Sequence, residues 1–423
     1  MASALDKSVI TCDLEGRIET FSPGAEAIFG WTADEVIGKK RVSLFSPGEV
    51  VLEHVPFWLK TAVEKGAHET NSVFLKKDGT PFPAKIRISA TFKDGQQIGY
   101  CGLTEPLPAS ELESAYPKIS VSTKVFRWFV VTRAPFLTAS LVPVLVAAAL
   151  AAKMSSTFSW LAFSLALIGA LALHIAANTW NDLFDWKSGA DQANNDYFLP
   201  FSGGSRSIEL GLITERGLSV IAWSSLLVAA ACGGLLAVLS TPLVFAFGAF
   251  GAFAAYFYTA PPLRLVARRG LGELFIGLAF GPLMTAGTVT AITGAIAPTS
   301  AWLVGIPVGL LTTAILWINE IPDAKSDATV GKNHLVVTLG AKGARWGYVA
   351  VVAAAFIVQG ALVVLGQLPM SALAAFIAVP LAVRAFIVLF KHLEDRGLVV
   401  ANKSTILMQL VFGLALAAAL AFL

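Results

Sequence analysis

The sequence has little charge and little cysteine for its length. Only 14% of its 423 residues are charged, whereas 56% are hydrophobic, and the hydrophobic residues come in long blocks. This distribution excludes an ordinary soluble globular protein and is typical of a membrane protein. The net charge of +3 is small and no basic patch interleaved with aromatic residues occurs, so we expect no nucleic-acid partner.

The three cysteines, Cys12, Cys101 and Cys232, lie far apart and form no CxxC pair. Their spacing supports neither a zinc site nor a disulfide framework. We expect buried free thiols in a reducing compartment. The first residues also lack an apolar h-region, so no signal peptide is predicted and the N-terminal part is expected in the cytoplasm.

The chain after Arg133 is strongly apolar. It contains nine apolar segments, each close in length to the ~20 residues that a helix needs to cross a bilayer. They cover 134–152, 158–178, 218–238, 241–259, 271–292, 298–318, 346–366, 369–390 and 403–423. The sequence therefore predicts a multi-pass all-α membrane domain over 134–423 with nine transmembrane helices, preceded by a linker or juxtamembrane segment at 116–133.

The connectors between these segments alternate in charge. Those after the third, fifth and seventh segments are short and lack Lys and Arg, whereas those after the second, fourth, sixth and eighth are longer and basic. By the positive-inside rule, the basic connectors and the N-terminal part face the cytoplasm. We therefore expect a multi-pass protein of the cell inner membrane with its N-terminus and active-site loops in the cytoplasm.

The first 115 residues have a different pattern. Short alternating runs such as "SVITCD" and "PFPAKIRISATF" lie between Gly, Asp and Pro turns, which predicts an antiparallel sheet. Between them, "PGAEAIFGWTADEVIGK" predicts two short helices, the second with a capping box from Thr32 to Glu35. With "KKDGTPFPAKIRIS", this order resembles a PAS domain over roughly 6–107, so 1–115 is predicted to be an α+β PAS-like sensor domain. Because PAS domains sense signals or dimerise, a PAS-mediated dimer stays open.

Two acidic clusters follow apolar segments. "NTWNDLFDWKSGAD" (178–191) follows the second segment, and "NEIPDAKSDATVGKNHL" (319–335) follows the sixth. Asp182 and Asp185 are three residues apart and Asp323 and Asp327 four, so each pair shares a helix face. The helix dipole disfavours carboxylates at C-terminal ends unless positive charge compensates. A solvated loop would explain one cluster, but two equivalent clusters in a chain this poor in charge indicate a binding site.

The residue types indicate which ligand this site takes. Hard oxygen donors without His or Cys select Mg2+, Mn2+ or Ca2+, and Mg2+ usually binds one or two carboxylates, water and substrate phosphates. Lys187, Arg206 and Lys332 are near in sequence and suit a diphosphate. We interpret the clusters as a site for a metal-bound diphosphate at a membrane surface.

At this point the motifs carry a family resemblance. "NDLFDWKSGAD", "PDAKSDATVGK" and "YTAPPLRLVARRGLGELFIGLAFGPL" (258–283) resemble the UbiA superfamily of intramembrane prenyltransferases, over about 120–423. The resemblance implies nine helices, Mg2+ as cofactor, and transfer of a prenyl group from a polyprenyl diphosphate to an aromatic acceptor. The spacing of Asn181, Asp185 and Asp191 is similar to the 1,4-dihydroxy-2-naphthoate branch of menaquinone synthesis.

Other functions stay open beside this one. Pro322 stands where the naphthoate enzymes usually have an arginine, so a UbiA-type enzyme with a phenolic acid, a tetrapyrrole alcohol or a glycerol phosphate lipid as acceptor is one alternative. A non-catalytic membrane sensor with a PAS domain is another. Regulation of the enzyme by the PAS domain is an expectation that rests on the fusion of the two domains.

The motifs and the resemblance together imply roles for single residues. The expected catalytic residues are Asn181, Asp182, Asp185, Asp191, Asp323 and Asp327. The expected metal ligands are Asp185, Asp191, Asp323 and Asp327. The expected substrate-binding residues are Lys187, Arg206, Tyr258, Arg264, Asn319 and Lys332.

Two further features lie within the apolar segments. His174 is seven residues before Asn181 and shares its helix face, so it either serves the site or bonds to a neighbouring helix. Gly277, Gly281 and Gly287 are expected to permit close helix packing and are assigned no chemistry.

Overall fold

The computed structural model describes residues 6–154, 158–194 and 203–422. The chain divides into two compact units, Met1–Val131 with Arg206–Thr214, and Thr132–Ser205 with Glu215–Leu423. Residue 1, where the predicted sensor domain begins, and residue 423, where the last predicted segment ends, lie outside the described residues. The domain limits at 115 and 133 stay predictions.

The N-terminal unit contains one five-stranded antiparallel sheet. Its strands are β1 (Ser8–Asp13), β2 (Ile18–Phe21), β3 (Ala67–Leu75), β4 (Pro81–Lys93) and β5 (Gln96–Pro106). They are arranged in the order β2-β1-β5-β4-β3. Buried aromatic residues cover the sheet, and the rings of Phe29 and Phe45 lie 4.4 Å apart. The predicted antiparallel sheet is confirmed.

Short helices connect β2 to β3. They are Pro23–Phe29, Ala33–Val36, Gly48–Glu53 and Val55–Lys65. The Thr32 N–H donates to Glu35 Oε2 at 3.0 Å, which confirms the capping box. The last two helices were not predicted, although the buried Trp58 and Ala62 share one helix face. A further helix, Val121–Val131, lies in the segment predicted as a linker.

The cysteines are free, as expected. Cys12 and Cys232 are buried, whereas Cys101 is only half-buried, so the expectation of burial holds for two of the three. Burial raises the pKa of the Cys12 thiol to about 12, with a smaller contribution from Asp13. This thiol therefore stays protonated.

The second unit is helical. Its apolar helices are α1 (Ala134–Met154), α2 (Trp160–Ser188), α3 (Glu215–Leu239), α4 (Val244–Phe257), α5 (Leu271–Thr293), α6 (Thr299–Thr329), α7 (Leu335–Val364), α8 (Met370–Lys391) and α9 (Arg396–Phe422). Within the described ranges, eight of them are long and apolar enough to cross a membrane, and α4, with 14 residues, is shorter. The multi-pass helical fold is confirmed, while nine spanning helices stay a prediction.

Helices α2 and α6 are longer than the apolar segments that predicted them. They end at Ser188 and Thr329 rather than at 178 and 318, because the chain stays helical after its side chains become polar, and Pro322 does not end α6. Both acidic motifs therefore lie largely on helices. Gly189 ends α2 with φ +82° and turns the chain into the short helix Ala190–Ala193.

Glycines hold α5 close to α6. A Cβ on Gly309 would lie 2.2 Å from the Gly277 carbonyl oxygen, and one on Gly281 would lie 2.6 Å from the Gly305 oxygen. A Cβ on Gly287 would lie 2.9 Å from Cγ of the Phe247 ring. The prediction that these glycines permit close helix packing is confirmed.

Candidate active site

A cavity of about 240 Å³ lies inside the helical unit. Its polar lining comes mainly from the C-terminal ends of α2 and α6 and includes Arg133, Asn178, Asn181, Asp185, Tyr258, Asn319, Glu320, Asp323, Asp327 and Lys332. Deeper along the helices the lining is apolar. A second cavity of about 420 Å³, lined almost wholly by apolar residues, shares Leu173, Gly251 and Met284 with the first, so the two cavities adjoin.

Both aspartates of the second motif line the cavity. Asp323 accepts hydrogen bonds from Asn194 Nδ2 and from the Gly203 N–H, each at 2.8 Å. Asp327 accepts one from His334 Nε2 at 3.1 Å. The four-residue spacing therefore places both carboxylates on one side of α6, as predicted.

The first motif is divided. Within the described part of the chain, Asp185 is its only aspartate that lines the cavity, while Asp182 and Asp191 are buried outside the lining. A Cβ on Gly204 would lie 2.9 Å from Asp182 Oδ1 and 3.5 Å from Asp191 Oδ1, and the φ of Gly204 is +73°. The Ser205 N–H donates to Asp182 Oδ1 at 3.2 Å. These two aspartates thus face loop backbone that requires glycine.

Lys332 joins the two motifs. Its Nζ lies 2.7 Å from Asp185 Oδ1 and 3.8 Å from Asp327 Oδ1, and the residue is only 6% exposed. Burial by itself would lower the pKa of Lys332, but the attraction of Asp185 and Asp327 outweighs burial and raises that pKa above its ordinary value. The ammonium therefore stays charged at physiological pH and is available to an anionic ligand.

The two predicted asparagines are held by neighbouring elements. Arg133 Nη1 donates to Asn181 Oδ1 at 3.0 Å, and Asn181 Nδ2 donates to Thr259 Oγ1 at 2.9 Å. Asn402 Nδ2 of α9 donates to Asn319 Oδ1 at 2.6 Å. Both asparagines line the cavity with their orientation fixed by these bonds.

Three predicted substrate-binding residues do not line the cavity. Lys187 is exposed near the end of α2, and Arg264 is half-buried outside the lining. Arg206 Nη1 pairs with Glu209 Oε2 at 2.9 Å and belongs to the N-terminal unit. Tyr258 lines the cavity, and its predicted role in substrate binding stays a prediction. The roles of Lys187, Arg206 and Arg264 stay predictions.

Sequence reasoning missed several residues of the site. Arg133 was used only to mark the start of the apolar region, and Glu320, within the second cluster, was assigned no role. His334 and Asn194 were not singled out, although His334 lies within the second acidic cluster and Asn194 lies just after the first. The Nδ1 of His174 lies 2.9 Å from Ser140 Oγ of α1, which confirms the bond to a neighbouring helix. His174 also lines the cavity, and a role in the site stays a prediction.

The sequence of the helical unit matches that of a known protein family. Residues 140–421, two thirds of the chain, match the model of the UbiA prenyltransferase family. The chain belongs to this family. It is therefore a prenyltransferase, and its residues 6–105 match a PAS domain model.

Individual relatives support the same class. The 1,4-dihydroxy-2-naphthoate octaprenyltransferase of Mycobacterium tuberculosis is 31% identical over 304 residues, which cover 70% of this chain and 97% of the relative. The enzyme of that name from Bacillus subtilis is 30% identical, with 67% and 88% covered. The solved structure of a UbiA homolog from Archaeoglobus fulgidus, bound to DMAPP and Mg2+, has a TM-score of 0.53 at 16% identity and covers 70% of this chain and 100% of that one. This last likeness shows the fold.

Proposed function

We propose that this prenyltransferase moves a prenyl group from a polyprenyl diphosphate to a 1,4-dihydroxy-2-naphthoate-like acceptor in quinone synthesis. The observation that carries the proposal is one cavity in which Asp185, Asp323, Asp327 and Lys332 meet and which adjoins an apolar cavity of about 420 Å³. The polar lining suits a diphosphate and the apolar cavity suits its prenyl chain. The names of the Mycobacterium tuberculosis and Bacillus subtilis relatives support the acceptor.

The cavity carboxylates fit Mg2+. Asp185, Asp323 and Asp327 offer the hard oxygen donors that Mg2+ prefers, and we propose that they hold it together with the diphosphate. Asp191, the fourth proposed ligand, lies outside the lining. Bound Mg2+ supplies positive charge that stabilises the departing diphosphate. The Archaeoglobus fulgidus homolog, solved with DMAPP and Mg2+, supports this cofactor.

Side chains of the protein bind the diphosphate and exclude water from the reacting carbon. We propose that the Lys332 ammonium donates hydrogen bonds to the diphosphate as its bond to the allylic carbon breaks and both electrons leave with the diphosphate. A ring carbon of the acceptor then bonds to the allylic carbon and loses its proton. Apolar walls that include Leu173, Phe280 and Met284 exclude water from the allylic cation.

Transfer by purified full-length protein in detergent tests the proposal. Geranylgeranyl and longer diphosphates are offered with a panel of aromatic acceptors, with and without Mg2+. We expect Mg2+-dependent prenylation of dihydroxynaphthoate. Product only with a phenolic acid, a tetrapyrrole alcohol or a glycerol phosphate lipid would contradict the acceptor, and transfer without divalent metal would contradict the cofactor.

We also propose that the protein lies in the inner membrane with the acidic ends of α2 and α6 on the cytoplasmic side, because the adjoining connectors are basic. Two cysteine variants test this orientation with a membrane-impermeant maleimide. Ile296→Cys, at a position 80% exposed after α5, is expected to react in intact cells. Lys187→Cys is expected to react only after permeabilisation. The reverse pattern would contradict the orientation.

A regulatory role for the PAS domain rests on one loop. Segment Arg206–Thr214 belongs to the N-terminal unit, where Leu210 and Leu212 are buried. A Cβ on Gly48 would lie 2.2 Å from the Leu210 carbonyl oxygen and 2.7 Å from Leu212 Cδ2. Gly203 and Ser205, whose N–H groups donate to Asp323 and Asp182, directly precede this segment in the chain. We propose that a signal received by the PAS domain changes its hold on this loop and thereby diphosphate binding.

Gly48→Ala tests this coupling. The added methyl is expected to push Arg206–Thr214 away from the PAS domain, because it meets backbone rather than a flexible side chain, and to change the KM for the diphosphate. Gly102→Ala is the matched control, since its nearest atoms lie 3.9 Å away. Equal kinetics for Gly48→Ala, Gly102→Ala and wild type, with unchanged thermal unfolding, would contradict the coupling.

A further inference from the structure

Glu273, Glu320 and His334 form a buried cluster at the wall of the cavity, which Glu320 also lines. Glu273 comes from the first turn of α5, Glu320 from α6, and His334 caps the N-terminus of α7. One ligand atom from each lies within 4.8 Å of the other two, and the residues are 4%, 7% and 0% exposed. None of the three was predicted as a site residue.

The carboxylates of this cluster lack hydrogen-bond donors. In the part of the chain that the structure describes, neither oxygen of Glu320 has a hydrogen-bond partner, and neither does Glu273 Oε2. Glu273 Oε1 accepts from the Leu335 N–H at 2.7 Å. Buried carboxylates require compensation by a proton or a cation, since an isolated buried charge is very costly. The cluster therefore requires a proton or a cation to compensate its charge.

The neighbours of His334 determine its tautomer. The Asp327 carboxylate accepts, so Nε2 carries the hydrogen and donates at 3.1 Å. The Val337 N–H can only donate, so Nδ1 presents its lone pair at 3.4 Å. That Nδ1 lies 3.6 Å from Glu320 Oε2. The bond from Val337 is long, so a cation between Nδ1 and Glu320 Oε2 would displace this donor and bind both acceptor atoms.

We propose that Glu273, Glu320 and His334 bind a divalent transition-metal ion, Zn2+, through ligands other than those of the proposed Mg2+ site. An imidazole with two carboxylates favours Zn2+ over Mg2+, which takes oxygen ligands. Asp327, bonded to the far nitrogen of His334, completes a carboxylate–histidine–metal arrangement. Ligands bind Zn2+ at about 2.0–2.2 Å, so modest side-chain shifts close the cluster around the ion.

Metal binding by the full-length protein tests the proposal without any turnover. Protein in detergent is stripped with a chelator, exchanged into metal-free buffer, loaded with Zn2+, and its retained zinc is measured by mass spectrometry. Loading with Co2+ then reports the ligand geometry through visible absorption. We expect a single Zn2+ per chain, lost in Glu320→Gln and in His334→Asn. Asp327→Asn is expected to lower the affinity roughly 10–100-fold, because it removes the outer partner of the histidine.

Matched variants separate this site from others. His392→Asn removes an imidazole that is paired with Asp395 at 2.9 Å outside the cluster, and Asp185→Asn removes a cavity carboxylate of the proposed Mg2+ site. Both are expected to retain the zinc. The isosteric Glu320→Gln keeps the test valid where the cap variant His334→Asn fails to fold. No retained zinc in the wild type, or equal retention in Glu320→Gln, would overturn the proposal and leave a shared proton between the carboxyls. If Asp185→Asn retains zinc but no longer transfers a prenyl group, zinc binding does not depend on the transfer site, which supports the proposal.

Discussion

The two acidic motifs have similar residues at similar helix ends, yet the structure uses them differently. Both aspartates of the second motif line the cavity, whereas only Asp185 of the first does, among the residues that the structure describes. At about 100° per residue, a spacing of four turns a side chain by about 40° and a spacing of three by about 60° the other way. Helix α2, which carries the first motif, also ends at Ser188, so Asp191 lies on a separate short helix. The motif thus marks the site, but helix phase and length select the carboxylates.

The largest expected effect comes from the cavity carboxylates. Asp185→Asn and Asp327→Asn each remove one proposed metal ligand without changing side-chain size, so we expect kcat to fall by roughly 10²–10³-fold. Steady-state prenyl transfer measures the loss, and thermal unfolding in detergent controls for folding. Activity within a few-fold of wild type in either variant would contradict the proposal that the aspartate concerned is a metal ligand.

Lys332 is expected to matter less than the carboxylates and more than the lysine of the first motif. Lys332→Gln removes the proposed charge-assisted bond to the diphosphate, worth about 1.5–3 kcal/mol, so kcat/KM for the diphosphate should fall about 10–100-fold. Lys187→Gln is the matched control, because Lys187 is exposed outside the cavity lining. An equal loss in both variants would place Lys187 at the diphosphate, as predicted from the sequence.

The smallest effect is expected at Asp182. Asp182→Asn keeps an oxygen to accept from the Ser205 N–H and loses only the charge 3.5 Å from Arg133 Nη1. We expect kcat to change less than tenfold and the free energy of unfolding to fall by about 1 kcal/mol, measured by activity and denaturant titration. A loss as large as that of Asp185→Asn would mean that Asp182 acts in the cavity, and the division of the first motif would be wrong.

Local patterns account for the features that were predicted correctly. Strand alternation, turn residues and the Thr32 capping box involve neighbours in sequence, so the strands and the β3–β4 hairpin follow from them. The pairing of β1 with β5, which joins Ser8 to Thr104, does not. Apolar runs located a helix for each predicted segment but not its ends. Hydropathy indicates whether side chains lie in lipid or in water, and it does not indicate where the backbone stops being helical. Helices α2 and α6 therefore carry the motifs, contrary to the predicted segment ends.

The sequence by itself determined the membrane class, the PAS domain and the residue types of the site, because composition, periodicity and motif chemistry are properties of short segments. Only the tertiary structure decided which carboxylates share a cavity, that Lys332 contacts Asp185 of the other motif, and that Glu273, Glu320 and His334 meet. These contacts depend on how closely helices approach, and at α5 and α6 that distance is set by Gly277 and Gly309. Such distances arise from packing between residues far apart in the chain, where no local pattern records them.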